Sequence, residues 1–287
     1  MNLPQKKQKS LPLQSLREII DHYDFFIFDL WGVVHNGKTS FPGAIEILTH
    51  LKTLGKPVYF LSNAPRRTNA AKAQLVDRGV PLDLYTNLFT SGEDTFEHLR
   101  DRPDAFYKSL GSKLYHMGPD KDKSLYDTLE NYTNTPLEDA DFILNTGTLS
   151  FEDTLEMYVP ELEEGRARKL PMICANPDLI VLFGESEALC AGRIAKEYEK
   201  MGGTVRYHGK PFVSIYQKMF ERMHTNDLGK ILMIGDSLRT DIKGANNAGI
   251  DSIFITSGIH QLSCVDDALS LYDTYDAYPT YVMEKVI

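Results

Sequence analysis

The chain has 287 residues, of which 42% are apolar and 25% charged, and its formal net charge is −9. That is the composition of an ordinary globular protein, long enough for two domains. The negative charge argues against a nucleic-acid partner, which needs a basic face to displace counterions, and no run approaches the roughly 20 apolar residues that span a bilayer.

After a polar leader, a helix is predicted near Leu13–His22. A buried strand follows over residues 25–30, where Phe25-Phe26-Ile27-Phe28 runs into Asp29-Leu30. Gly43–Leu54 puts Ala44, Ile47, Leu48 and Leu51 on one helical face, and Gly55-Lys56-Pro57 stops it. The next strand, Val58–Leu61, ends at Ser62-Asn63, and a second helix over Arg67–Arg78 closes at Gly79. Strand–helix–strand–helix opens a doubly wound sheet. From Ser91 to Pro177 the pattern is a unit of its own, with strands at Lys113–His116, Phe142–Asn145 and Met172–Cys174. Its predicted helices are Lys123–Asn131 and Phe151–Lys169. The first pattern then resumes with helices Glu187–Met201 and Val213–Met223, strand Ile231–Ile234, helix Asp241–Ala248 and strand Ser252–Ile255. The predicted fold is therefore α/β. A doubly wound, Rossmann-like parallel sheet core takes residues 1–88 and 180–287, and an α/β cap domain, residues 89–179, is inserted in it.

The start, Met1–Lys7, carries positive charge with no apolar stretch behind it, so no signal peptide is expected. Cys174, Cys190 and Cys264 lack metal-site spacing and read as reduced, mostly buried thiols of a cytoplasmic protein.

Four features fall at predicted strand ends or adjacent loops: Asp29, Ser62-Asn63, Lys210 within His208-Gly209-Lys210-Pro211, and Asp236 with Asp241. Open α/β sheets place their chemistry at the carboxyl ends of strands. Two carboxylates there, on separate strands, suit a hard divalent cation, and magnesium favours such oxygen ligands. Together the residues supply what phosphoryl transfer to a carboxylate requires. One carboxylate attacks phosphorus, the metal offsets its repulsion with a dianionic substrate, and Ser62 and Lys210 receive the phosphoryl oxygens. Plainer roles stand beside these. Ser62-Asn63 suit a turn that caps the next helix, Asp241 suits a helix cap, and Arg66 beside Arg67 suits a solvated helix start.

In identity and order these residues resemble the haloacid dehalogenase superfamily. Its four motifs appear as Phe28-Asp29-Leu30, Leu61-Ser62-Asn63, Gly209-Lys210-Pro211 and Gly235-Asp236-Ser237-Leu238-Arg239-Thr240-Asp241. The large insertion, closing at Ala175-Asn176-Pro177-Asp178, resembles that of subclass IIA, the branch of NagD-like and pyridoxal-phosphatase-like enzymes. The resemblance implies Asp29 as nucleophile, with Ser62 and Lys210 as its catalytic partners. It implies a Mg2+ held by Asp29, Asp236 and the backbone carbonyl of Trp31, with Asp241 behind them. Asn63, Arg66, Asn176 and Asp178 are the candidate substrate contacts. The substrate class implied is a small phosphorylated metabolite, the cap excludes bulky phosphoproteins, and capped relatives often form homodimers.

One departure matters. Most phosphatases of this superfamily carry a second aspartate two residues after the nucleophile, as general acid and base, and here that position is Trp31. Indole cannot act as a base near neutral pH. Slow turnover, a preference for good leaving groups or recruitment of another acid is expected, and His35 is the candidate acid/base on the same loop. Two rival readings remain. Asp29-Leu30-Trp31-Gly32 is also similar to the start of metal-independent dehalogenases, and a non-catalytic metabolite-binding protein would keep the same phosphate cradle.

Overall fold

A computed structural model describes residues 10–183, 186–262 and 265–287; Cys264 and the polar leader lie outside them. In chain order the first elements are β1 (Leu11–Pro12), β2 (Phe25–Phe28), α1 (Pro42–Thr53), β3 (Val58–Ser62), α2 (Thr68–Asp77) and β4 (Asn87–Thr90). Next come α3 (Ser91–Asp101), α4 (Ala105–Ser109), β5 (Lys113–Met117), β6 (Thr133–Asn134), β7 (Phe142–Asn145), α5 (Val159–Ala167) and β8 (Met172–Cys174). They are followed by β9 (Ile180–Phe183), β10 (Ser186–Leu189), α6 (Ala191–Lys200) and β11 (Val205–Tyr207). The chain continues through α7 (Val213–Met223), β12 (Ile231–Gly235), α8 (Lys243–Ala248), β13 (Asp251–Ile255), α9 (Val265–Tyr275) and β14 (Tyr281–Met283). No helix among the described residues is long and apolar enough to cross a membrane.

The chain divides into two units, one of residues 1–62, 72–89 and 210–287 and the other of 63–71 and 90–209. The first is built on a seven-stranded sheet of order β1-β14-β13-β12-β2-β3-β4. Its pairings β1–β14, β14–β13, β13–β12, β12–β2 and β2–β3 are all parallel. From β2 the chain moves one way across the sheet, and from β12 it moves the other, so the order reverses between these two central strands. A switch point of this kind opens a crevice outside the strand ends. The Asp29 N–H still donates to the Ile234 carbonyl at 2.9 Å, so the end of β2 is held in register with the end of β12. Ala44, Ile47, Leu48 and Leu51 of α1 are buried, as are Ile215, Tyr216, Met219 and Met223 of α7. Each fully buried aliphatic side chain of this kind stabilises by about 1.5–3 kcal/mol.

The second unit has a five-stranded sheet, β11-β8-β7-β5-β6, parallel at each pairing, and an antiparallel pair of β9 and β10. Leu144, Phe142 and Ile173 pack on one side with Leu99, Tyr107 and Leu125. Ile143 and Met172 pack with Leu162, Ile194 and Tyr198 in a second cluster. Cys174 and Cys190 are buried and form no disulfide with each other.

The second unit runs to Gly209, not to 179 as the sequence suggested. The reason is long-range: β11 pairs with β8, and α6 buries its apolar face in the second unit's core. Other elements differ through local chemistry. Leu13–His22 forms two 3₁₀ turns, Leu16–Glu18 and Ile20–His22, because Ile19 leaves helical geometry (φ −126°, ψ 0°). A segment that short gains too few hydrogen bonds to hold a lone helix. Lys123–Asn131 is likewise reduced to a 3₁₀ turn at Asp120–Leu125. The Phe151–Lys169 helix starts only at Val159, with Pro160 in its first turn, where the missing N–H is tolerated. Ser186–Leu189 is strand, so the helix expected from Glu187 begins at Ala191.

Candidate active site

Three carboxylates converge at the switch point of the first unit. One ligand oxygen each from Asp29, Asp236 and Asp241 lies within 4.8 Å of the other two, and all three residues are buried. Asp29 follows β2 and Asp236 follows β12, so the parallel pairing of those strands makes the two aspartates neighbours. Asp241 returns to the cluster from a π-type turn over Leu238–Ile242, and its Oδ2 accepts the Ser237 N–H at 3.1 Å.

Glycines make room for these groups. A Cβ on Gly32 would lie 2.0 Å from Asp236 Oδ2, and one on Gly258 would lie 2.1 Å from the same oxygen. The backbone after Trp31 therefore presses against the Asp236 carboxylate. A Cβ on Gly235 would lie 2.4 Å from Asp241 Cγ. The Ile259 N–H donates to Asp236 Oδ2 at 2.7 Å.

Lys210 is the cation of the cluster and is only 1% exposed. Its Nζ lies 2.5 Å from Asp29 Oδ1 and 2.7 Å from Asp241 Oδ1, and it donates to the Leu61 carbonyl at 2.8 Å. That last bond ties it to the end of β3, where the next residue is the buried Ser62. Burial opposes the ammonium charge, but the Asp241 and Asp29 carboxylates outweigh it and raise the lysine pKa. Burial, then Asp29 and Asp241, push the Asp236 carboxyl well above the usual range. When all three carboxyls are ionised, as a bound cation would keep them, they leave two negative charges against the one ammonium, a deficit that one divalent cation would neutralise. The all-oxygen donor set fits a hard ion of the magnesium type.

Trp31 and His35 lie beside the cluster on one loop. The indole packs on Gly37, where a Cβ would lie 2.5 Å from the ring, and meets the His35 ring edge-on at 5.6 Å. Burial, with the positive Arg78 nearby, lowers the His35 pKa to about 4. Its Nδ1 accepts the Gly37 N–H at 3.0 Å. His35 is thus neutral near pH 7 with Nδ1 already engaged, which disfavours it as a store of protons.

The four candidate substrate contacts all fall in the second unit. Asn63 Nδ2 donates to Asp178 Oδ1 at 2.9 Å, and the Asp178 N–H donates to Asn176 Oδ1 at 3.0 Å. Those three form one network. Arg66 has its guanidinium 3.8 Å from the buried Asp122.

Sequence reasoning missed Gly258, Ile259 and His260, which form the loop after β13. A turn glycine directly beyond a predicted buried strand was the available signal. The Leu238 N–H donates to His260 Nε2 at 3.2 Å, bracing the turn that carries Asp241.

A doubly wound parallel sheet with acidic strand ends at its switch point defines the class, an α/β protein with a buried carboxylate site of the cation-binding type, and comparison with known proteins names the family. The haloacid dehalogenase-like hydrolase family matches residues 26–131, and a second model, described as HAD-hydrolase-like, matches residues 207–286. A solved haloacid dehalogenase-like hydrolase from Brucella suis 1330 is 31% identical, with a TM-score of 0.85 over 96% of this chain and 100% of that one. Ribonucleotide monophosphatase NagD of Escherichia coli is 28% identical over 247 residues, 84% of this chain and 90% of its own. Bovine chronophin is 25% identical over 290 residues, 95% of this chain and 94% of its own. The chain belongs to the haloacid dehalogenase-like hydrolases, in the branch that includes NagD and chronophin.

Proposed function

We propose that this hydrolase is a magnesium-dependent phosphatase of small phosphorylated metabolites, with Asp29 as its nucleophile. The observation that carries the reading is the buried cluster of Asp29, Asp236 and Asp241 around Lys210. Asp29 and Asp236, with the Trp31 backbone carbonyl, would hold the cation, which when bound draws off negative charge from the phosphoryl oxygens. Asp29 attacks phosphorus through a carboxylate oxygen, the bond to the leaving oxygen breaks, and an aspartyl phosphate forms. The leaving oxygen takes a proton from solvent; water then attacks that phosphorus and gives a proton back to solvent, returning the Asp29 carboxylate and releasing inorganic phosphate. Lys210 holds the Asp29 carboxylate in place and adds positive charge near the transferring group. Asp241 keeps the ammonium charged and fixed. Ser62, at the end of β3, contributes a hydroxyl to the same phosphoryl group.

The names of NagD, a ribonucleotide monophosphatase, and of the 5'-nucleotidase YutF of Bacillus subtilis support nucleoside monophosphates as the first substrates to try. Hydrolysis of an aryl phosphate by wild type and Asp29→Asn, each with magnesium and with chelator, tests the chemistry. Magnesium-dependent turnover that the substitution abolishes is expected. Equal rates from the two proteins would refute it and leave haloacid hydrolysis or simple metabolite binding to be tried.

A further inference from the structure

A second cluster of ligating side chains lies wholly within the second unit and is independent of the phosphatase reading. Asp94 and His98 stand one turn apart on α3, and His208 directly follows β11. One ligand atom of each lies within 4.8 Å of the other two. Asp94 and His208 are buried, whereas His98 is partly exposed.

The two oxygens of one carboxylate each face an imidazole. His208 Nδ1 lies 2.6 Å from Asp94 Oδ2, and His98 Nδ1 lies 3.3 Å from Asp94 Oδ1. The two rings meet edge to face with centroids 4.6 Å apart. Further contacts orient both rings. The Tyr107 hydroxyl bonds to His208 Nε2, and His98 Nδ1 lies 2.8 Å from the Asp94 carbonyl oxygen. The Tyr107 contact is of the kind that fixes the tautomer of a metal-binding histidine, and because a carbonyl oxygen only accepts, His98 gives Nδ1–H to Asp94 and keeps Nε2 for an ion.

Asp94 is buried on the helix that also supplies Phe96 and Leu99 to the core. A carboxylate in such surroundings costs several kcal/mol unless a positive charge faces it. Here it faces imidazoles, which are cationic only when protonated. Two imidazoles and one carboxylate are also the donor set of zinc-type sites, and unlike the oxygen-only cluster of the first unit they suit a borderline transition metal.

We propose that Asp94, His98 and His208 bind one divalent transition-metal ion of the zinc class. The ion replaces the proton held between His208 Nδ1 and Asp94 Oδ2, which leaves to solvent. It also joins the two ends of the long segment between Thr90 and Gly209, since Asp94 lies near its start and His208 next to its end. Closing a segment of that length from the inside stabilises the fold that contains it.

The test uses the full chain carrying Asp236→Asn, which disables the carboxylate cluster, stripped with chelator and titrated with cobalt and then zinc chloride. One equivalent of cobalt is expected to give strong visible d–d absorption that zinc abolishes, and zinc is expected to raise the thermal midpoint. Adding His98→Gln is expected to weaken cobalt binding by roughly tenfold or more and to remove the zinc-induced shift. Because His98 is partly exposed, that change leaves the buried Asp94–His208 pair in place, and circular dichroism verifies the fold. Absence of cobalt absorption and midpoint shift in the Asp236→Asn protein, or their persistence after His98→Gln, overturns the proposal and leaves a hydrogen-bonded network only.

Discussion

Replacing Lys210 by Met tests whether the ammonium is what makes the three-carboxylate cluster tolerable. The methionine side chain keeps most of the lysine stem, so the change removes charge with little loss of packing. Lys210 Nζ serves Asp29 at 2.5 Å, Asp241 at 2.7 Å and the Leu61 carbonyl at 2.8 Å. Removing one partner of a buried ion pair costs about 3–5 kcal/mol, and a lost neutral hydrogen bond adds about 1 kcal/mol. Since one lysine answers two carboxylates, the upper end applies, and about 6 kcal/mol of stability is expected to disappear in chelator. The cluster's charge then moves from minus two to minus three, so a divalent cation has more to neutralise. Magnesium is therefore expected to restore more stability to the variant than it adds to wild type. Urea unfolding of both proteins, in chelator and in excess magnesium, measures this. The double variant Lys210→Met with Asp241→Asn is expected to be more stable than the single one, because it removes a carboxylate together with its cation. A loss below about 1 kcal/mol in chelator, or a loss that magnesium leaves unchanged, would refute the reasoning.

Two further predictions concern other groups. Trp31→Asp puts a carboxylate at the position that serves most phosphatases of the family as general acid and base. Hydrolysis of alkyl phosphates is expected to rise by a factor within roughly 10²–10⁴, with aryl phosphates gaining much less; a folded variant with no gain on alkyl substrates would sink the idea. In the second unit, burial pushes the Asp122 carboxyl up to about 6 from 3.8, even though Arg66 and Lys121 pull it down. The folded chain thus holds this proton more tightly than the unfolded one. The cost of its charge is absent below the unfolded value and fully felt once pH has risen through the folded one. Asp122→Asn is therefore expected to stabilise the protein at pH 8 by up to about 3 kcal/mol and to change little at pH 4. Urea midpoints that move equally at both pH values would contradict this.

The centre of the first unit was legible because its strands are unbroken apolar runs and its acids stand directly after them. A carboxylate at the end of a fully buried strand breaks the local rule that the rest of the strand obeys, and such breaks concentrate at functional sites. The helices α1 and α7 were legible through their buried stripes, Ala44–Ile47–Leu48–Leu51 and Ile215–Tyr216–Met219–Met223. The end of the second unit was not. Val205–Tyr207 is a short edge strand whose Arg206 is exposed, and nothing local states that it pairs with Met172–Cys174. Helix α6 shows one apolar face, but periodicity says only that the face is buried and is silent on which sheet covers it. The loop of Gly258 and Ile259 was hidden for a related reason: its turn glycine is visible, but its part is to supply space and a backbone N–H to Asp236, and no residue type marks which acid a backbone N–H will meet.

The same distinction explains why the acids could be found before their electrostatics. Asp29, Asp236 and Asp241 are separate marks in the sequence, but their mutual repulsion exists only because β2 pairs with β12 and the turn at Leu238–Ile242 folds back. Assembling them costs stability that Lys210 offsets only in part. The unneutralised remainder is what a divalent cation and the electrophilic phosphorus of a substrate would meet. In this fold, then, the charge deficit that destabilises the assembled carboxylates and the negative charge that would attract a divalent cation are one quantity. Any substitution that relieves the first without a cation is expected to weaken the second, and Asp241→Asn, which spares both Asp29 and Asp236, is expected to raise stability in chelator and lower magnesium affinity together.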